Sequence, residues 1–211
     1  MAPSYIPALR YNWLTRFYDF FLSLTFPERK IKQRLISQLK LQGNENILDF
    51  GVGTATLSLM IKTQYPTVQI TGIDVDEKIL SIARQKANNT IQLLRYDGST
   101  LPFETGSFDV VVSSLVFHHI PTEVKRTVLN ELYRVLKRTG TLHIADFGKP
   151  ANVYAKLAFG IFRRFDGEEN TRVNARGALP SFLEKAGFVS VKEPAHFNTA
   201  FGTVRIISVG K

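Results

Sequence analysis

The residues with the strongest claim to chemistry are Asp49, Gly51 and Gly53, in the stretch ILDFGVGTATLSLMI (47–61), together with a second acid at Asp74. Ile47 and Leu48 end an apolar run that reads as a short buried strand, and Thr56 to Ile61 continue as an apolar helix. The glycines therefore lie in a strand–turn–helix unit. Such a turn lets the backbone approach a ligand closely, and the following helix offers free N–H groups and a partial positive charge. Two glycines occur in many turns. Specificity comes from the acid two residues before the first glycine and from Asp74, which closes the next apolar run VQITGID (68–74).

The two acids decide between nucleotide chemistries. A dinucleotide fingerprint needs G-x-G-x-x-G, with glycines clearing space for an anionic pyrophosphate. Thr56 stands at the third glycine position, and an acid at Asp49 would lie close to incoming phosphates. A ligand with an ammonium and a sulfonium and no phosphate suits that acid better, and S-adenosylmethionine (SAM) is such a ligand. Asp74 at a strand end would accept hydrogen bonds from the ribose hydroxyls.

Further along, Asp97-Gly98 follows the apolar run IQLLRY (91–96). Asp97 serves either as a turn residue or as an acceptor for the exocyclic amine of adenine, and both roles stay open. The β-branched run Phe108 to Val112 ends at Ser113-Ser114, where a doubly wound sheet opens its ligand crevice. His118 and His119 follow directly and are the candidates for a general base. The competing reading has one of them packing at the helix start while the other faces the core. His143, inside a strand, and His196, near a hairpin turn, read as structural.

Positioning these groups takes alternating strands and helices. The helix after Pro27 has a stripe of Ile31, Leu35, Ile36 and Leu39, and RYNWLTRFYDFFLSL before it is aromatic at helical spacing. Asp76 can cap EKILSIARQKA, whose Ile79, Ile82, Ala83 and Lys86 lie at helical spacing. Pro121 starts TEVKRTVLNELYRVLK with Val124, Val128, Leu132 and Val135 inward, and the turn Lys137 to Gly140 feeds a fifth strand, 141–147. Five strands alternating with helices imply right-handed crossovers and a mostly parallel, three-layer α/β sheet. The last two strand-like runs are joined by so few residues that they must form an antiparallel hairpin.

Composition bounds the rest. A chain of 211 residues with 44% hydrophobic content holds one domain with a sizeable core. It contains no cysteine, which excludes disulfides, thiolate metal sites and a cysteine nucleophile, and no metal site is expected. The start, MAPSYIPALR, lacks the pattern of a signal peptide and no run of about 18 apolar residues occurs, so a cytoplasmic location is expected. The formal charge of +9 fits a solvated basic surface, an anionic acceptor, a nucleic acid or an acidic membrane.

With DFGVG, Asp74, DGSTLPFETGSFDVVVSSLVFHHI and LYRVLKRTGTLHIADF in view, the chain resembles the class I SAM-dependent methyltransferases, over residues 45–147 above all. Within them it is most similar to the branch that includes the ubiquinone- and menaquinone-biosynthesis methyltransferases. The resemblance implies a Rossmann-like sheet of seven strands with the last inserted antiparallel. It divides the single domain into an N-terminal helical cap (1–42), a SAM-binding core (43–148), a lid with helices (149–187) and the C-terminal hairpin (188–211). It implies SAM binding by Asp49, Gly51 and Gly53, ribose contact at Asp74, adenine contact at Asp97 and a wall of Ser113, Ser114 and Leu115, with Val75 and Gly98 also among the cofactor-binding residues. Tyr18 would close over the methionine moiety. Ala55 stands where such proteins often carry a third glycine; its small side chain should leave the loop intact.

Methyl transfer from a sulfonium is an in-line displacement with a neutral leaving group. Holding the acceptor about 3 Å from the methyl is worth on the order of 7–11 kcal/mol. Enzymes that methylate exocyclic base amines carry Asn/Asp-Pro-Pro-Tyr after the fourth strand, where this chain has Ser114-Leu115-Val116-Phe117, and methylation at cytosine C5 needs a cysteine. These absences argue against a nucleic-acid substrate and leave a small apolar or aromatic acceptor, quinone-like, phenolic or lipid-derived. The N-terminal helices and KPANVYAKLAFGIFRRF (149–165) are aromatic and basic, a composition suited to peripheral contact with an anionic membrane. Two other readings keep the fold: a SAM-binding protein without turnover, and an RNA-interacting methyltransferase whose binding would fall steeply with salt. The oligomeric state is not legible.

Overall fold

The fold is described from a computed structural model of the chain, which describes residues 26–98, 100–152 and 177–211. The apolar runs become the strands β1 (Asn46–Phe50), β2 (Gln69–Asp74), β3 (Gln92–Arg95), β4 (Phe108–Ser114) and β5 (Leu136–Phe147). The final two runs become β6 (Val189–Thr199) and β7 (Gly202–Gly210). They form one seven-stranded sheet in the order β3-β2-β1-β4-β5-β7-β6. β1 to β5 run parallel, whereas β7 lies antiparallel between β5 and β6. This is the seven-stranded sheet with an inserted last strand that the family resemblance implies.

Both faces of the sheet are covered, which explains why its strands are apolar without strict alternation. Successive residues of β1 point to opposite sides: Ile47 joins a cluster with Ile31, Leu57 and Leu80, while Leu48 joins one with Leu129, Leu132 and Leu183. The helices α1 (Glu28–Ile36), α2 (Thr56–Gln64) and α3 (Glu77–Ala87) therefore lie on one face. The other face carries α4 (Thr122–Val135) and α5 (Leu179–Lys185). Each fully buried leucine or isoleucine contributes about 1.5–3 kcal/mol to this three-layer core. Asp76 caps α3, its carboxylate accepting from the Lys78 and Ile79 amides at 2.8 and 3.4 Å.

Three local expectations change. The buried side of α3 is Leu80, Ala83 and Ala87; Ile82 is exposed and Lys86 faces water. The residues Lys137 to Gly140 are no free-standing turn, for α4 passes straight into β5 at Leu136. The extra residues are absorbed as a bulge, the pairing jumping from Phe108–Leu136 to Val110–Thr141. The Lys211 amide pins Gly140 O at 3.0 Å and Lys137 spans both oxygens of Asp109 at 2.8 Å, which holds the bulge in the sheet. On α4, the buried side includes Lys125 alongside Val128, Leu129, Leu132 and Val135.

The aromatic N-terminal segment with Tyr18 and most of the basic aromatic segment 149–165 lie outside the described residues. No helix among the described residues is long and apolar enough to cross a membrane.

Candidate active site

The strand order reverses between β1 and β4, so the loops leaving their carboxyl ends part and open a crevice. All the sequence-predicted binding positions within the described residues stand at the carboxyl ends of β1 to β4 or in the loops just beyond. The loop after β1 rests on the end of β2, since the Gly51 and Val52 amides both donate to Ile73 O at 2.9 Å. Gly51 has φ +73°, and a Cβ there would lie 2.3 Å from Val116 Cγ2, on the loop after β4. Only glycine lets the two loops approach so closely. Gly53, by contrast, has none of the described residues within 4 Å of the Cβ it lacks.

The two acids have different situations. Asp74 is half-buried and accepts from the Gly53 amide and the Asp76 amide, each at 3.0 Å. It thus ties the glycine turn to the end of β2, and a carboxylate with two amide contacts keeps acceptor sites for ribose hydroxyls. Asp49 does not face the crevice. It is 1% exposed, lies under the turn, and accepts from Ser58 Oγ of α2 at 2.6 Å. Burial pushes its carboxyl up to about 6, a rise opposed by the Ser58 hydrogen bond and by the charge of Lys32 on α1.

Beyond β2 and β3, Val75 is 38% exposed, Asp97 is exposed, and Gly98 has φ +88° with open space on its side-chain face. On the far wall Ser113 donates to Phe50 O at 2.9 Å and ties β4 to β1. Ser114 Oγ is buried with no hydrogen-bond partner among the described residues, a hydroxyl whose lost hydration they leave uncompensated. Leu115 has φ 61° and Ala55 has φ 61°, so both walls carry a non-glycine residue in the left-handed region. Such strain, about 1–2 kcal/mol each, is tolerated where the surroundings over-determine it. Ala55 keeps the loop in shape with its methyl fully buried.

The orphaned hydroxyl, the open face of Gly53 and an acid at each of the β2 and β3 ends fit the chemistry of SAM, whose ribose and adenine need acceptors. No group of three or more potential metal ligands stands together among the described residues.

The two histidines separate in role. His118 is 4% exposed, with Nδ1 2.9 Å from Asp146 Oδ1. Asp146 also accepts from the amides of Val116 (3.0 Å), Phe117 (2.7 Å) and Phe147 (2.7 Å). Burial works against its ionisation, but the His118 ring and these amides prevail and hold the carboxyl below the usual range. An ionised carboxylate only accepts, so His118 presents Nδ1–H to it. His119 stacks on His118 at 3.9 Å between ring centroids and keeps an outward surface. The hydration lost on the face packed against His118, and then the influence of His118 itself, hold its pKa below the usual histidine value, so the ring is neutral at physiological pH. His143 is buried in β5 between Ser208 and Thr141, its pKa pushed down to about 4 by burial.

The sequence reading missed Asp146 and Lys125. Asp146 was visible as an acid in the otherwise apolar run HIADF (143–147), and Lys125 as a cation between Val124 and Val128.

Comparison with known proteins agrees with this geometry. A family model described as a methyltransferase domain matches residues 47–140. A demethylmenaquinone methyltransferase of Thermus thermophilus is 34% identical over 160 residues, covering 74% of this chain and 68% of that protein. One from Listeria monocytogenes is 27% identical over 197 residues, 82% of each chain. The crystal structure of a SAM-dependent methyltransferase from Aquifex aeolicus superposes with a TM-score of 0.63 at 19% identity, covering 91% of this chain and 96% of that one.

Proposed function

The chain belongs to the class I SAM-dependent methyltransferases, and we propose that its acceptor is a small apolar aromatic molecule of the quinol or phenol type. The observation that carries this reading is the sequence of groups leaving β4: an orphaned Ser114 hydroxyl, then the outward, neutral imidazole of His119. The relatives named demethylmenaquinone methyltransferase point to the same acceptor class.

When bound, SAM supplies an electrophilic methyl on a sulfonium. In this reading Asp74 holds the ribose hydroxyls with Val75 beside it, and Asp97 and Gly98 receive the adenine. The turn of Gly51 and Gly53, with Ser114 and Leu115 opposite, receives the methionine end. Buried Asp49 makes the turn electronegative from beneath. A hydroxyl or ring carbon that attacks an electrophile becomes strongly acidic as the bond forms, so a weak base suffices late in the step. His119, neutral and outward, takes that proton; His118 is held by Asp146 and orients the loop. The basic and aromatic composition of the segments 10–25 and 149–165 suits an acceptor drawn from an anionic bilayer.

A mixed-acceptor assay tests the reading. With labelled SAM and detergent-dispersed polyprenyl naphthoquinol, simple phenols, a phospholipid headgroup and bulk RNA in parallel, label should enter the naphthoquinol preferentially. Label entering RNA alone, or label remaining on SAM with every acceptor, would remove it in favour of the RNA-interacting or the non-catalytic alternative. A second expectation concerns the nucleoside: Asp74→Ala should weaken SAM binding by about 1–3 kcal/mol through the lost charge-assisted bonds. Calorimetry on the folded variant checks it, and an unchanged affinity places the ribose elsewhere.

A further inference from the structure

Lys125 is the one lysine of α4 that the sequence reading assigned to no role, and its placement is costly. It is fully buried, on the first turns of the helix that follows the His118-His119 loop, and its Nζ donates to Ile120 O at 2.7 Å. A buried ammonium is kept only where something fixes and compensates it. Burial draws its pKa down to about 8, with the charges of Asp146 and Glu123 acting the other way. The same segment is gripped from the sheet: Asp146 of β5 takes the Val116 and Phe117 amides and the His118 ring. Residues 116–120 are thus held at one end by a buried anion and at the other by a buried cation, and His119 stands between the two grips.

We propose that Lys125 is a positioning residue of the transfer site, which fixes the loop from the helix side so that His119 stays aimed at the acceptor. This deepens the reading in which His119 takes the acceptor's proton, and rests on it. The segment has reason to need two anchors. It begins at Leu115, in the left-handed region at φ 61°, and a loop leaving a strained residue relaxes unless its far end is tied. Ile120 O is that far end. The cation has a second consequence. The groups acting on His119 are His118 of its own loop, Asp146 of β5 and Lys125 of α4; the histidine and the lysine disfavour its protonation, and the aspartate favours it. Lys125 therefore both holds the imidazole in place and helps keep it neutral.

The test compares Lys125→Met, which keeps the length and apolar stem, with Val128→Ala, a neighbouring buried residue of α4 that makes no tie to the loop. Lys125→Gln serves if the methionine variant does not fold. The expected result is a kcat lowered roughly 10–100-fold, the scale of a small misplacement, with SAM affinity unchanged. Val128→Ala should lose stability but keep kcat. In the acceptor-free protein, the His119 ring titration followed by NMR should move upward in the lysine variant and stay put in Val128→Ala. A wild-type kcat in the lysine variant, an equal kcat loss in Val128→Ala, or an unmoved His119 titration would each overturn the proposal. His119→Gln separates the two claims. If that variant keeps full kcat, the proton-acceptor reading falls, while the NMR titration still decides whether Lys125 governs His119.

Discussion

Asp49→Asn should make the protein more stable at pH 7.5 and a poorer binder of SAM. The folded protein holds the Asp49 carboxyl at about 6 because burial disfavours its charge, against an ordinary value of 3.8. A raised carboxyl means that the folded state prefers the protonated form. The stability this gives is complete below the unfolded value and is lost as pH rises through about 6, so at neutral pH the charge costs on the order of 3 kcal/mol. Asparagine removes that cost and its oxygen can still accept from Ser58, but its new N–H₂ is a buried donor without an evident partner, worth about 1–2 kcal/mol against it. The net gain of about 1–2 kcal/mol should raise Tm by roughly 3–6 °C. The gain should open between about pH 4 and 6 and level off above. Over the same range the variant should fall behind the wild type in SAM affinity, because the wild type acquires a negative charge under the cation and the variant does not. Thermal melts and calorimetry at pH 4.5 and 7.5 check both halves. A variant less stable at 7.5, or with an offset independent of pH, would show that the carboxyl is not destabilising where it lies.

In the proposed reading, this trade accounts for a buried acid at the end of β1. The same burial that raises its pKa keeps water away from the charge, and an unscreened charge acts farther than an exposed one. Asp74 has the opposite arrangement: half-exposed, tied to two amides, and able to touch a ligand directly.

How much of this could be read from the chain divides by the range of the interaction. The Asp76 cap depends on amides two and three residues away, and it stands where the sequence puts it. The parallel strands follow from runs such as FDVVVSS, and the hairpin from the short link between β6 and β7. The buried side of α3 was misassigned because Ile79, Leu80 and Ile82 are equally apolar and one rotation of the helix separates the choices. Periodicity does not settle that choice; the packing against the sheet does. The grip of Asp146 on residues 28 to 30 positions earlier has no local signature, since β5 meets the post-β4 loop only once the sheet is assembled. The same holds for Asp49, an acid at the right spacing whose depth in the core is set by the Ser58 contact from α2. Spacing proposes the groups, and tertiary packing decides which of them are buried and which stay exposed.

Gly51→Ala should be the most damaging single methyl in the protein. Two costs meet there. The residue sits at φ +73°, where an L side chain costs about 1–2 kcal/mol. Its Cβ would also overlap Val116, at 2.3 Å from Cγ2 and 2.9 Å from Cγ1, and overpacking of this kind costs about 1–3 kcal/mol. Turning the Val116 side chain does not relieve this fully, because its Cβ would itself lie 3.2 Å away and its backbone amide is held by Asp146, so the loop carrying His119 must shift. Stability should fall by about 2–5 kcal/mol and methyl transfer should be lost. Adding Val116→Ala removes the overlap and leaves the backbone strain, so the double variant should recover about 1–3 kcal/mol relative to additivity. Gly53→Ala supplies the contrast. Its φ of +54° carries the strain alone, since its Cβ meets none of the described residues within 4 Å. That variant should lose only about 1–2 kcal/mol of stability yet bind SAM far more weakly, because the methyl fills space the protein leaves open. Denaturant melts of the wild type, the two single variants, the double variant and Gly53→Ala, with SAM titrations beside them, separate a glycine required by the fold from one required by the ligand. Strict additivity at positions 51 and 116, or full SAM affinity in Gly53→Ala, would mean that the turn is shaped for something other than close approach.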